Sequence, residues 1–540
     1  MVFRADRTLP FAARENATYL GERMLWVTLG VVLAGLAAWA LYDVSQRGHA
    51  IVHNFPVVGH FRYWLEAVGP ELRQYIVTGN DEERPFSRDQ RRWIYASSKR
   101  ENNYFGFGTD NDLEETPNYL IIKHSAFPLI EAPPGSPGYD PLYRVPCAKV
   151  MGAARRRPQA FRPSSIVNIS GMSYGSLSAH AVAALNLGAK LAGCMQTTGE
   201  GGLSRHHQNG GDLTWQVGTG YFGCRTPEGR FDLARFKETV AANPVRAVEL
   251  KLSQGAKPGL GGILPKAKIT AEIAQIRGVP MDRDCISPAA HTAFHDVDSM
   301  LDFVERLAQE TGVPIGIKSA VGEMEFWREL VKQMSMTQRG VDFITIDGGE
   351  GGTGAGPLVF SDHVALPFKI GFTRVFRQFA EAGLHDKIVF IGSGRLGFPD
   401  IALMALALGC DMINVGREAM MSIGCIQAQR CHTGHCPTGV ATQNAWLMSG
   451  LDPTLKSGRC ANYILTLRKE LLQLGRACGA PHPALVPRDR LEIIEDGYTS
   501  RPLAEVFEYR NGLGTLSEEA RTQLARLMTE LPPVQAHAAH

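Results

Sequence analysis

Between residues 165 and 420 one local pattern recurs. A short β-branched run closes on glycine and polar residues, and an apolar stretch of helical period follows. SIVNISG (165–171) leads into LSAHAVAALNLGAKLAG, and VRAVELKLSQG (245–255) precedes VDSMLDFVERLAQETG. VPIGIKSAVG, VDFITIDGGEGGTG, KIVFIGSGRLG and CDMINVGREAM repeat the pattern. At least seven units of this kind predict an α/β chain folded as a closed (β/α)8 barrel, with the polar residues gathered just after each strand on the face where such barrels work. An open doubly wound sheet is the alternative, but no strand is followed by the G-x-G-x-x-G turn expected there.

The remaining chain divides by texture. Residues 1–23 form a short basic segment. From Met24 to Tyr42, MLWVTLGVVLAGLAAWALY has no charge over nineteen residues. As a helix it would extend roughly 28 Å, close to a hydrocarbon core, and Trp26, Trp39 and Tyr42 lie near its ends as interfacial aromatics do. A single-pass transmembrane helix is expected over 24–42, in preference to a signal peptide or a core helix, because the run outlasts the usual h-region. Residues 43–117 read as a helical lead-in in which EERPFSRDQRRWIYASSKRENN is a charged face toward solvent or headgroups. The barrel domain is expected over 118–490 and a charged helical tail over 491–540. A net charge of +2, without long runs of one sign, gives no electrostatic grip on nucleic acid.

Several loops carry candidate chemistry. CIQAQRCHTGHCPTGVATQ (425–443) spaces Cys425, Cys431 and Cys436 as C-x5-C-x4-C. Three thiolates can hold a metal centre, zinc with His432 or His435 as fourth ligand, or nothing. The other seven cysteines are scattered, as free thiols in a reducing compartment are. GSGRLG (392–397) and VGRE (415–418) follow two consecutive late strands and suit a phosphate, with Arg395 and Arg417 adding charge. DGGEGGTGAGP (347–357) concentrates six glycines in eleven residues, as close approach of backbone to a ligand requires. Glu200 in TTGEGG, Lys257 in QGAKPGLGGILP and Lys318 at the end of VPIGIK complete the set.

GMSYGSLS, TTGEGG, QVGTGYFG, KLSQGAKPGLGGILPKAK, ISPAAH, DGGEGGTGAGP and the cysteine loop occur in the order found in the FMN-binding synthase domain of glutamate synthase. The resemblance covers about residues 160–445. In organisation it resembles the stand-alone, membrane-anchored branch of that family. The resemblance implies a three-iron, four-sulfur cluster on Cys425, Cys431 and Cys436. It also implies FMN over the barrel mouth against Met172, Ser173, Thr198, Gln216, Lys318, Gly352, Gly394, Gly416 and Arg417. Lys318 would flank the pyrimidine edge of the ring, and 2-oxoglutarate would lie near Glu200, Lys257 and Lys318. The implied reaction joins ammonia to 2-oxoglutarate, reduces the 2-iminoglutarate by hydride from FMN, and draws electrons through the cluster.

The chain also departs from the family. Residue 2 is Val2, where glutamine-using members expose a cysteine nucleophile, so glutamine is not expected as a direct nitrogen source and a separate amidotransferase is an expected partner. SAVGEMEFW after Lys318 differs from the usual continuation. No nicotinamide-binding unit is evident, so an electron-donor protein such as ferredoxin or a reductase subunit is expected. Two other readings keep the barrel: an oxidoreductase of another oxo acid, hydroxy acid or N-substituted amino acid, and a membrane electron relay. Arg4, Arg7, Arg14 and Arg23 before the apolar run, against Arg47 and Arg62 after it, would place the large domain outside by the positive-inside rule. Cysteine usage and the implied cofactors place it in the cytoplasm, which is the reading taken.

Overall fold

The computed structural model describes residues 11–76, 82–136 and 138–530. Residues 1–10, which carry Val2, Arg4 and Arg7, and the closing PPVQAHAAH lie outside the described residues. The chain divides into two compact units, Met1–Val77 and Thr78–His540. In the first, one helix runs Phe11–Ser45 and its Arg23–Ser45 part is long and apolar enough to cross a membrane. Its apolar side chains, among them Leu25, Trp26, Val31 and Leu41, are exposed. Asp43 is buried and accepts from His60 Nε2 at 2.8 Å and from the Val57 amide at 2.7 Å, which ties the helix end to the turn before helix Gly59–Ile76.

The second unit is the expected closed barrel of eight parallel strands. They are β1 (Val167–Ile169), β2 (Gln196–Thr197), β3 (Leu213–Val217), β4 (Val245–Lys251), β5 (Ile315–Ser319), β6 (Phe343–Asp347), β7 (Val389–Ser393) and β8 (Met412–Val415). Neighbours follow chain order, and β8 closes on β1 with Asn414 opposite Asn168. The interior is apolar at the strand starts, where Met195, Ala247, Phe343, Val389, Ile391 and Met412 pack with Cys147 and Met151. Gly316 makes room for this layer, since a Cβ there would lie 2.4 Å from the Phe343 ring. Toward the strand ends the inward positions turn polar: Glu249 accepts from Gln216 at 2.5 Å and from Thr345 at 2.6 Å, joining β3, β4 and β6.

Helix starts follow capping chemistry. The Ser178 hydroxyl accepts from Ala181 N to open Ala179–Ala192, and Asp296 accepts from Ser299 N to open Val297–Thr311. Helix Pro453–Ala477 lies along Ala179–Ala192 so closely that a Cβ on Gly188 would sit 2.7 Å from Cys460 Cβ.

Two expectations need correction. RDQRRWIYASSK, read as a charged outer face, is a helix (Arg88–Lys99) that buries Trp93 and Ile94. Trp93 Nε1 reaches Glu470 at 3.1 Å. Each such apolar side chain contributes on the order of 2 kcal/mol, so one face of this charged segment belongs to the core. The stretch after 490, read as helical, opens with strands Leu491–Asp496 and Thr499–Pro502, which form an antiparallel sheet with Tyr119–Ile122. Leu491 and Ile493 point inward and Glu492 and Ile494 outward at period two, a strand pattern too short to stand out in the sequence.

Candidate active site

The loops after the strands meet over the barrel end. Gly199 carries the backbone of β1's loop: a Cβ there would fall 2.4 Å from Ser173 N and 2.7 Å from Met172 C, and Gly199 has φ +73°. Thr198 Oγ1 accepts from Gln216 N at 3.1 Å. A Cβ on Gly171 would touch the Gln216 amide at 2.9 Å. The expected residues Met172, Ser173, Thr198 and Gln216 therefore form one side of the mouth. On the other side, a Cβ on Gly352 would lie 2.7 Å from Arg417 Cδ, and Gly394, with φ +123°, stands against Gly348. Arg417 donates to the Glu350 carbonyl and stacks 5.0 Å from the Phe86 ring, which Arg395 also covers at 5.3 Å. Gly416 immediately precedes Arg417, and a Cβ there would make an ordinary contact of 3.6 Å with Ser170 Cβ.

Between these sides lies a buried array of charge. Glu200 Oε1 accepts from Lys251 Nζ at 2.7 Å, and Lys251 also donates to Gln254 at 2.6 Å. Burial alone would raise the Glu200 carboxyl, but Lys251, with Lys257 and Arg277 behind it, holds it below the usual carboxylate range. Burial pushes the Lys257 ammonium down, against the pull of Glu200. Lys257 Nζ donates to Ala355 O at 3.0 Å, which ties the β4 loop to the glycine-rich β6 loop. Lys318 stands 3.6 Å from Asp347, whose carboxyl burial would raise and Lys318 lowers, with a net shift downward. Asp347 also accepts from Gly255 N at 2.8 Å. Gly255 admits no side chain, because its Cβ would lie 1.8 Å from Gly348 O.

Glu200 and Lys257 are thus brought into one electrostatic group, with Lys318 on the neighbouring strand. Lys251, Glu249 and Asp347, which the sequence reading did not single out, are part of the same array. Their signal was available: in VELK and FITID, polar side chains fall on alternate positions of otherwise apolar strands, the inward positions of a barrel.

The cysteine loop follows helix Arg417–Ser422. Its start is fixed by Cys425 N donating to Met420 O at 3.0 Å and by Tyr95 OH donating to Cys425 O at 2.8 Å. Burial pushes the Cys425 thiol up to about 12, with Cys436 and Cys431 adding to the rise, and Cys431 is raised by burial and then by Cys436. Cys425 and Cys431 are thus both within electrostatic reach of Cys436. Lys268, itself buried, donates to Ser176 O at 2.6 Å and Cys431 O at 3.2 Å, and burial lowers its ammonium to about 8. Among the described residues, no three His, Cys, Asp or Glu side chains gather closely enough to hold a single metal ion. All ten cysteines are free thiols, and the seven outside this loop are buried.

The conserved region of glutamate synthase matches residues 151–481. The chain belongs to the glutamate synthase family. Its relatives include a glutamate synthase large subunit-like protein, YerD, of Bacillus subtilis, 37% identical over 476 residues, covering 83% of this chain and 90% of that protein. The archaeal glutamate synthase [NADPH] of Methanocaldococcus jannaschii is 35% identical over 316 residues, which are 58% of this chain and 59% of the relative. An archaeal-type glutamate synthase [NADPH] of Thermotoga neapolitana is 32% identical over 311 residues, 57% of this chain and 58% of the relative. This glutamate synthase family member therefore spans less than two thirds of these two relatives, and nearly all of the first.

Proposed function

We propose that the chain is an FMN-dependent oxidoreductase of the glutamate synthase type that aminates 2-oxoglutarate reductively through 2-iminoglutarate. The observation that carries this reading is one barrel mouth holding both a cradle without side chains and a buried cationic–acidic array. At Gly171, Gly199, Gly352 and Gly394 a Cβ would meet the chain's own atoms, so glycine lets these loops pack closely and present a mouth bare of side chains there, as a flat ring lying on backbone requires. Met172, Ser173, Thr198, Gln216 and Gly352 would hold the ring, Lys318 its pyrimidine edge, and Gly394, Gly416 and Arg417 the phosphate. The chemistry FMN would supply there is hydride donation to the α-carbon of the imine.

The chain's own groups provide the rest. The Lys257 ammonium binds a carboxylate of the oxo acid. Glu200, kept ionised by Lys251, takes a proton from the attacking ammonia. Glu200 returns that proton to the carbinolamine oxygen, and Lys257, whose proton burial loosens, donates the second, so that the oxygen leaves as water and Glu200 is again a carboxylate. The loop contacts at Gly255 and Lys257 hold the β4 loop against the glycine-rich β6 loop beside this array.

Cys425, Cys431 and Cys436 would hold a [3Fe-4S] cluster that relays single electrons. Supporting this are their mutual electrostatic reach and the buried Lys268 cation against the same loop, which suits an anionic metal–sulfur group. An electron-donor protein such as ferredoxin or a reductase subunit would serve it, and a separate amidotransferase would supply ammonia. The helix Arg23–Ser45 would anchor the chain in lipid with the barrel on the cytoplasmic side.

The test is anaerobic: protein reduced with dithionite is mixed with 2-oxoglutarate and ammonium, and flavin reoxidation and glutamate are followed. Glutamate formation that disappears in Glu200→Gln supports the proposal. Stable reduced flavin and no glutamate in the wild type would refute it.

A further inference from the structure

A cleft of about 850 Å³ opens outside the flavin cradle, between the loop after β3, the excursion between β4 and β5, and helix Val297–Thr311. Four arginines reach it from these three segments: Arg225, Arg230, Arg283 and Arg306. Glu228 and Asp284 are the carboxylates on its wall, and Asp284 already accepts the Lys266 amide at 2.8 Å. Among the described residues Arg225 and Arg283 make no ion pair, and the buried Nε of Arg225 has no partner. Arg225 is braced instead by stacking 5.5 Å from the Phe222 ring.

The floor of the cleft points to a ligand independently of the arginines. Ser287 is only 5% exposed and its Oγ has no hydrogen-bond partner. A buried hydroxyl is normally satisfied, and leaving it bare is costly. Ser287 also backs onto the barrel mouth: one methyl on Gly262 would meet both Glu200 Oε1 at 2.8 Å and Ser287 Oγ at 3.4 Å. The volume falls within that of small-molecule sites, and guanidinium forks match phosphate and carboxylate oxygens.

We propose that this cleft binds a small polyanion carrying two or more phosphate or carboxylate groups, with its innermost anionic group accepting from Ser287 Oγ and the outer ones held by Arg225 and Arg283. The site does not depend on the barrel performing reductive amination, and its occupant would lie one hydroxyl away from Glu200.

Calorimetric titration of the full-length protein, purified with its cofactors in detergent at low salt, tests this with inorganic pyrophosphate and with citrate. Saturable binding of either is expected, and the tighter of the two identifies the anion class. Arg225→Gln with Arg283→Gln should weaken it about tenfold or more, as loss of charge-assisted bonds does, and Ser287→Ala should weaken it severalfold. Arg283 is exposed, so Arg283→Gln alone gives a folded variant, verified by unchanged near-UV dichroism, that should still show weaker binding. Arg417→Gln, at the expected flavin-phosphate site, should leave the titration unchanged. No saturable binding of either probe overturns the proposal, as does binding lost in Arg417→Gln and kept in the cleft variants.

Discussion

Replacing Lys251 by Met removes the ammonium 2.7 Å from Glu200 and keeps most of the side chain's length. The pair is largely buried, with the two side chains 11% and 16% exposed, so solvent screens it little. Stranding one partner of a buried ion pair costs about 3–5 kcal/mol. Lys257 and Arg277 still face Glu200, which puts the expected loss near 3 kcal/mol at pH 7. Glu200→Gln in the same chain removes the stranded charge, so the double variant should recover to within about 1 kcal/mol of wild type. The Glu200 carboxyl is held below its ordinary value, so its contribution is present above the unfolded value and disappears as pH falls through the folded one. The Lys251→Met deficit should therefore shrink as the pH falls from 7 toward 4. Urea unfolding followed by tryptophan fluorescence, at both pH values, measures each quantity. A Lys251→Met variant as stable as wild type, or a double variant showing the sum of the single losses, would refute the coupling.

Other consequences follow from the same structure. Cys436→Ser should lose most bound iron and sulfide and keep its flavin, so unchanged iron in that variant would count against the cluster. Deleting residues 1–45 should release the protein from membranes without loss of FMN, because every residue expected to hold the flavin lies beyond 170. Full-length protein recovered in the soluble fraction without detergent would contradict the anchor. His207, His291 and His482 are buried, and burial lowers each ring to about 4. In the unfolded chain they protonate near 6.5, so stability should fall as pH drops from 6.5 toward 4, by on the order of 3 kcal/mol for each ring. A flat urea midpoint across that window, after allowance for the carboxylates, would show that these rings are solvated.

The barrel was legible because its strands are long enough to declare their period: VRAVEL, VDFITI and KIVFI each give several apolar positions before a glycine. β2 was not, since Gln196 and Thr197 are its only strand residues and their neighbours read as a glycine loop. The lead-in helix was misjudged because Trp93 and Ile94 stand among arginines, and only the facing helix Pro453–Ala477 shows which side is covered. At the mouth, motif residues such as Glu200 and Lys257 were visible by type. Lys251, Glu249 and Asp347 show in the sequence only as polar residues alternating with apolar ones in VELK and FITID, and that they converge on one site follows from the closure of the barrel that carries β4 and β6. The arginine cleft was invisible for a similar reason: Arg225, Arg283 and Arg306 are separated by up to 81 residues and meet only because the excursion after β4 folds back beside the loop after β3.

The central claim is that the barrel mouth is an FMN site, and flavin released by acid from the purified protein tests it most directly. The account predicts one FMN per chain in the wild type. Arg417→Gln should bind it at least tenfold more weakly through loss of a charged phosphate contact, and Gly199→Val should contain almost none, because its side chain would displace the Met172–Ser173 backbone. Protein that carries no flavin, does not take up added FMN, or binds it equally well with Gly199→Val in place would contradict it.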